Sequence, residues 1–192
     1  MGNKKFTENL EPDKIYHVFN RGINGAKIFN SNANYHFFLL KLQEHITPIA
    51  DLYCYCLLPN HFHLLLKIKS EEEIYKLLNN KDKTAKQIVF QKFSNFFNSY
   101  AQAYNKGQGR SGKLFDLPFK RKNIENEEYL RQTVLYIHNN PKKHGIINNV
   151  SQFLFSSFKE IVSDRPTFLK RNEVICWFEN KENFIFSNLN QP

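Results

Sequence analysis

Two apolar segments separated by a short polar turn constrain the fold of this chain most strongly. Leu52–Leu58 and His61–Ile68 are both rich in strand-forming residues, and only Pro59 and Asn60 lie between them. Two such segments joined by about two residues predict an antiparallel β-hairpin. The sequence therefore predicts a sheet that contains at least this pair of strands.

The remaining elements follow from periodicity and turn signals. Further strands are predicted over Ile15–Asn20 and Leu114–Ile124, and Pro118 places the second of these at an edge or a bulge. Helices are predicted from about Asn34 to Pro48, over Val89–Tyr104, over Asn126–Asn140 with a stop at Pro141, and over Asn172–Glu179. Strands and helices in this order predict an α+β fold, with an antiparallel sheet and helices packed mainly on one face.

Length and composition narrow the class of protein. The 192 residues are 41% hydrophobic, which suits one globular domain. No run of about 18 apolar residues is present, so no transmembrane helix is expected, and the N-terminal segment lacks the apolar core of a secretory signal. Three cysteines argue against a disulfide framework. A cytoplasmic protein without a membrane partner is therefore expected.

A strong positive charge indicates a polyanionic partner. The net charge is +9, and six Lys or Arg residues between Lys106 and Lys122 face a single acid, Asp116. Tyr104, Phe115 and Phe119 are interleaved with them. Cations for phosphates and rings for bases are what a single-strand nucleic-acid groove needs. The alternative is a solvated loop followed by an edge strand with charged outer positions.

His61 and His63 are candidate metal ligands. On a strand, residues two apart point to the same face, so both imidazoles lie side by side while Phe62 points to the other face. Such a pair binds divalent transition metals, or Mg²⁺ and Mn²⁺ when oxygen ligands complete the shell. The alternatives are two ordinary surface histidines, or a structural zinc site completed by Cys54 and Cys56. The close spacing of these cysteines is unlike that of zinc sites, and buried apolar thiols are favoured.

The helix over Asn126–Asn140 carries a second chemical signal. Leu130, Val134 and Ile137 form a core stripe, and a neighbouring stripe contains Tyr129, Thr133, Tyr136 and Asn140. Tyr136 thus offers a hydroxyl one turn before the amide oxygen of Asn140. The alternative is a half-buried tyrosine and a helix-terminal asparagine with no role in chemistry.

Together these segments resemble the HUH single-tyrosine transposases of bacterial insertion sequences, especially the REP-associated tyrosine transposases. The resemblance covers roughly residues 15–158 and is carried by three motifs in the family's order. These are Tyr16-His17-Val18-Phe19-Asn20-Arg21-Gly22, Tyr55-Cys56-Leu57-Leu58-Pro59-Asn60-His61-Phe62-His63-Leu64-Leu65, and Tyr136-Ile137-His138-Asn139-Asn140-Pro141.

The resemblance implies roles for individual residues. Tyr136 would be the nucleophile, and His61, His63 and Asn140 would hold Mg²⁺ or Mn²⁺. The reaction would cleave and rejoin single-stranded DNA near a hairpin through a 5′-phosphotyrosine. The DNA contacts expected from basic positions are Arg21, Arg110, Lys113, Lys120, Arg121, Lys122, Lys142 and Lys143.

The resemblance also implies an organisation and a setting. Residues 1–158 would form the endonuclease domain, with a ferredoxin-like or palm-like architecture, and residues 159–192 an aromatic-rich extension packed on it. The protein would be a monomer or homodimer that joins the nucleoid when it binds a hairpin or palindromic repeat. The competing hypotheses are a catalytically silent, domesticated nucleic-acid-binding protein and a small zinc-stabilised interaction domain.

Overall fold

The computed structural model describes residues 6, 8–78 and 82–191. Residues 1–5 and 7, which belong to the N-terminal segment expected to lack a secretory signal, lie outside the described residues. No helix among the described residues is long and apolar enough to span a membrane.

Four antiparallel strands form one sheet in the order β2-β3-β1-β4. The strands are β1 (Ile15–Arg21), β2 (Ala50–Leu58), β3 (His61–Ile68) and β4 (Lys120–Asn123). The helices are α1 (Asn32–His45), α2 (Glu71–Leu78), α3 (Ala85–Gly107), α4 (Glu127–Lys143), α5 (Phe158–Val162), α6 (Arg171–Cys176) and α7 (Lys181–Leu189). The predicted α+β class and antiparallel sheet are confirmed.

The two long helices α1 and α3 pack on one face of the sheet. Phe62 of β3 points to this face, where its ring lies 5.0 Å from Phe38 of α1 and 6.0 Å from Phe97 of α3. Phe38 and Phe62 are fully buried, so this layer contains the main apolar core. The helix α4 contacts β2 and β3 from the opposite face. The helix α4 therefore covers the part of the sheet that carries the histidine pair.

Two predicted boundaries differ from the structure. The strand expected over Leu114–Ile124 is regular only over β4. Pro118 has no backbone N–H to donate to a neighbouring strand, and Phe115 forms an isolated bridge to Gly22. The helix α4 continues through Pro141 to Lys143. A proline in the last turn removes one backbone donor there, and His144 N still donates to Asn140 O at 3.0 Å.

The C-terminal segment fixes the position of α4. His138 of α4 is fully buried and hydrogen-bonds Asn188 Oδ1 of α7 and Ser157 Oγ, each at 2.9 Å. Phe158 and Phe184 stack on each other beside this imidazole. The predicted helix near Asn172–Glu179 corresponds to α6, and α7 follows it. These contacts hold the helix that carries Tyr136 against the sheet.

Candidate functional site

The histidine pair lies on the sheet face that α4 covers. The His61 and His63 rings are 5.3 Å apart between centroids, whereas Phe62 points into the core beneath α1 and α3. The predicted common face of the two imidazoles is thus present in the structure. His63 is almost completely buried, with 6% of its surface exposed, and His61 is partly exposed. The pair is therefore set into the sheet surface beside α4.

The helix α4 brings Tyr136 and Asn140 to the two histidines. The Tyr136 ring lies 5.5 Å from that of His63, and the Asn140 side chain lies beside the His61 imidazole. Asn140 Nδ2 also donates to the Tyr136 carbonyl at 3.0 Å, which orients the amide. Tyr136 remains 40% exposed, while Asn140 is buried. The hydroxyl-bearing ring is thus accessible to a large molecule from solvent.

The chemistry of the donor set fits a divalent metal. Burial lowers the pKa of His61 to about 4, with a further contribution from nearby His144, and it lowers the pKa of His63 well below its ordinary value. Both imidazoles are therefore neutral at physiological pH and keep a lone pair for coordination. Two neutral imidazoles and one amide oxygen, with room left for water or phosphate oxygens, suit Mn²⁺ or Mg²⁺.

The zinc alternative finds no support in the described part of the chain. Cys56 pairs with His63 across the hairpin, as the turn length predicts, but Cys54 pairs with Leu65. Burial raises the pKa of both thiols well above the ordinary value, which opposes the thiolate form that zinc requires. Among the described residues, no group of three or more His, Cys, Asp or Glu side chains is arranged to hold a metal.

An open cleft of about 410 Å³ adjoins Tyr136. Its walls combine aromatic rings with a few polar groups and one cation: Phe6, His17, Phe19, His63, Lys122, Tyr129, Gln132, Thr133 and Tyr136. The helix stripe predicted from spacing therefore lines this cleft at three positions. Stacked rings beside a cation suit an unpaired nucleotide.

The basic residues of β4 divide between the two faces of the sheet. Lys120 pairs with Phe19 and Lys122 with His17, so both lysines lie on the face of the candidate site. Arg121 pairs with Val18 and points to the opposite face, where its guanidinium lies 4.7 Å from the Phe119 ring centre. The predicted patch Lys120–Lys122 is therefore split, and two of its three cations face the histidine pair.

Other predicted DNA contacts lie at different places. Lys143 approaches the site directly, with its ammonium 4.8 Å from the centre of the Tyr136 ring. Arg21 pairs with His61 in the register and forms a 2.6 Å ion pair with Asp116. Lys142 donates to Gln191 O at 2.6 Å. Arg110 and Lys113 contact each other in the loop after α3 and have no described contact with the histidine pair.

Two residues near the site were not predicted as part of it. His17 Nε2 lies 2.9 Å from His63 Nδ1, and the His144 ring lies 4.8 Å from that of His61. His144 is the first residue after α4, and its side chain is exposed. His17 stands alone in the sequence, and only the pairing of β1 with β3 brings it to the hairpin. The signal available was its position within a predicted strand of alternating pattern.

The chain is similar to known proteins both in sequence and in structure. A pair of strand histidines that faces a helix with a tyrosine and an amide is the arrangement expected of the HUH single-tyrosine class. The chain is 29% identical over 103 residues to a Haemophilus influenzae protein assigned as a REP-associated tyrosine transposase. This match covers 54% of the chain and 56% of that relative, so it spans little more than half of the relative's length. No protein-family model matches the chain.

A solved structure supports the same relationship at the level of the fold. It is a REP-associated tyrosine transposase bound to a REP hairpin, and it aligns with a TM-score of 0.59 at 17% identity. The alignment covers 85% of this chain and 89% of that one. The resemblance to REP-associated tyrosine transposases is confirmed by these two comparisons, and the shared fold extends over most of the chain.

Proposed function

We propose that this protein is a metal-dependent endonuclease and strand transferase that acts on single-stranded DNA near a hairpin, in the manner of a single-tyrosine transposase. The observation that carries the proposal is the meeting of Tyr136, His61, His63 and Asn140 at one place between α4 and the sheet, with the Tyr136 ring open to solvent. The two histidines belong to β3 and the other two residues to α4, segments far apart in the sequence, which argues against a chance arrangement.

Tyr136 is the nucleophile in this proposal. Its phenolic oxygen gives up a proton to solvent and forms a bond to phosphorus, and the bond from phosphorus to the 3′ oxygen breaks. The 3′ oxygen takes up a proton and leaves as a free hydroxyl, while the 5′ phosphate stays on Tyr136. The reverse attack by a 3′ hydroxyl of another strand restores the phosphodiester and releases the tyrosine, so no ATP is needed. The ammonium of Lys143 beside the Tyr136 ring is placed to attract the phosphate.

His61, His63 and Asn140 would hold the divalent metal. Such an ion acts as a Lewis acid that polarises the scissile phosphate. The protein keeps the two imidazoles neutral by burial and orients the Asn140 amide through its bond to the Tyr136 carbonyl. The same bond ties the metal-binding amide to the backbone of the nucleophile one turn earlier in α4.

The substrate class follows from the surface around the site. Lys120 and Lys122 lie on the face of the histidines, and the aromatic cleft beside Tyr136 can accept an unpaired nucleotide. The solved structure of similar fold contains a REP hairpin. We therefore propose a hairpin with an adjoining single strand as the DNA that this chain recognises.

A covalent adduct tests the proposed function. Incubation with a labelled oligonucleotide that carries a hairpin and a single-stranded flank, in the presence of Mn²⁺, should yield a protein–DNA band that survives boiling in detergent. The label should be retained when it lies 3′ of the cleaved bond, because the 5′ phosphate stays on the protein. Tight DNA binding without an adduct over a panel of hairpin substrates would favour the catalytically silent alternative.

Binding of DNA should depend strongly on salt and on the two lysines of the site face. Lys120→Glu together with Lys122→Glu should weaken binding and reduce the slope of log affinity against log salt by about two, since about one counterion is released per phosphate contact. Fluorescence anisotropy of a single-stranded oligonucleotide between about 50 and 200 mM salt, over which the Debye length falls from about 14 to about 7 Å, measures this slope.

A matched control separates local contacts from net charge. Lys76→Glu together with Lys86→Glu changes the net charge equally, but these exposed lysines belong to α2 and α3, away from the histidine face. The slope of log affinity against log salt should stay close to that of the parent protein in this control variant. Equal losses in the two double variants would show that overall charge, and not the β4 lysines, determines binding.

A further inference from the structure

A buried hydrogen bond joins the predicted metal ligand His63 to a histidine that has no role so far. His17 Nε2 lies 2.9 Å from His63 Nδ1, and the two rings are stacked with 5.1 Å between their centroids. Only 8% of His17 and 6% of His63 are exposed. A bond between two shielded imidazoles restricts both ring orientation and the position of the proton.

Only one of the two possible proton positions allows His63 to coordinate through its remaining nitrogen. When His63 Nδ1 donates to His17 Nε2, the Nε2 atom of His63 keeps a free lone pair. When His17 donates, a neutral His63 must carry its proton on Nε2, and neither ring nitrogen is free for a metal.

A hydrogen bond to Asn60 fixes the proton position of His61, the other predicted metal ligand of the hairpin. Its Nδ1 atom lies 2.7 Å from Asn60 Oδ1, and an amide oxygen can only accept a hydrogen bond. His61 Nδ1 is therefore the donor, and its Nε2 atom keeps the free lone pair. The two histidines of the hairpin would then present the same atom to an ion only if His63 also carries its proton on Nδ1.

We propose that His17 is a positioning residue that holds His63 as the Nδ1–H tautomer and directs its Nε2 atom toward the metal. In this role His17 acts on the metal through His63 and does not bind the metal itself. The inference rests on the proposed function for the metal, whereas the assignment of the tautomer concerns the metal-free protein alone. Partners that fix the orientation and basicity of a ligating histidine typically change metal affinity about 10–100-fold when they are removed.

Two variants at position 17 separate hydrogen bonding from packing. His17→Phe keeps a planar ring that can stack on Phe19 but cannot accept a hydrogen bond. His17→Gln loses the ring but can place its Oε1 atom near the position of Nε2 and accept the proton. A purely structural role for His17 predicts that the ring matters, and the positioning role predicts that the acceptor matters.

The tautomer is read directly by long-range proton–nitrogen NMR of protein with labelled histidine, without metal and in a Tyr136→Phe background. We expect His63 as the Nδ1–H form in the presence of His17 and in His17→Gln, but not in His17→Phe. Calorimetric titration of Mn²⁺ should show affinity about 10–100-fold weaker in His17→Phe and within a few-fold of the parent in His17→Gln.

The outcomes distinguish this inference from the proposed function. An Nε2–H form of His63 in the parent protein, or equal loss of Mn²⁺ affinity in the two variants, overturns the role of His17. Absence of Mn²⁺ binding in the parent overturns the metal part of the proposed function, and the metal-free spectrum then still decides which histidine donates.

Discussion

Tyr136→Phe is expected to abolish both strand cleavage and covalent adduct formation while DNA and metal binding persist. The substitution keeps the ring, including its contacts with His63, and removes only the attacking oxygen. Loss of a nucleophile with the rest of a site intact typically lowers turnover by more than about 10³-fold. The measurement is single-turnover cleavage of a labelled hairpin oligonucleotide, together with its affinity by anisotropy.

Tyr129→Phe provides the matched control on the same helix. Tyr129 lines the same cleft, but it precedes Tyr136 by two turns, about 10 Å along the helix axis. Its ring lies 4.4 Å from the ammonium of Lys122, a contact that a phenylalanine ring can keep. We expect Tyr129→Phe to cleave at a rate close to that of the parent. Mapping of the adduct by peptide mass spectrometry to any residue other than Tyr136 would refute the assignment.

Other tyrosines are explained by packing. Tyr100 and Tyr104 are both buried in α3. The Tyr100 hydroxyl donates to Ile28 O at 2.5 Å and that of Tyr104 to Lys27 O at 2.8 Å. Their hydroxyls thus tie α3 to the segment before α1, on the side of the sheet away from the histidines.

Local sequence signals were sufficient for the elements that build most of the site. The strand β3 spans His61–Ile68 as the hairpin pattern predicts, since its register is fixed by a two-residue turn. Asn126 caps α4 by accepting from Tyr129 N at 2.8 Å, as its residue type and position indicate. The spacing of four residues between Tyr136 and Asn140 likewise predicts that both lie on one side of the helix.

Features that depend on pairing between distant segments could not be obtained in this way. The contact between His17 and His63 arises from the register of β1 against β3, which the sequence of neither strand specifies alone. The covering of the histidine face by α4 depends likewise on His138, whose partners lie in α7 and at Ser157. The position of Lys120 and Lys122 on one face of the sheet and of Arg121 on the other, in contrast, follows from the alternation of side chains along a strand once β4 is recognised.

The end of α4 shows how a local rule was overridden. The rule that a residue before proline leaves the helical conformation predicted a stop at Pro141. In the structure Asn140 stays helical, and its buried side chain donates a hydrogen bond to the Tyr136 carbonyl one turn earlier. This bond within the last turns of α4 also orients the predicted amide ligand.

Loss of the metal ligand His61 is expected to have the second large effect. His61→Ala should lower cleavage by at least about 100-fold at Mn²⁺ concentrations that saturate the parent protein, because one of three protein donors is removed. His61 is partly exposed, so the fold should be retained. His63→Ala, in contrast, should also destabilise the fold, because His63 is buried and its removal leaves His17 Nε2 unpaired at a cost of about 1–3 kcal/mol.

A metal titration distinguishes a lost ligand from a damaged nucleophile. A weakened site can be refilled by mass action, so excess Mn²⁺ should restore part of the rate in His61→Ala. It should restore nothing in Tyr136→Phe, whose metal site is intact. His36→Ala, which removes an exposed histidine of α1, should behave as the parent protein throughout. Undiminished cleavage by the parent protein in excess EDTA would show that His61 and His63 act without a metal. The position of the two histidines on one face of the sheet would then need another explanation.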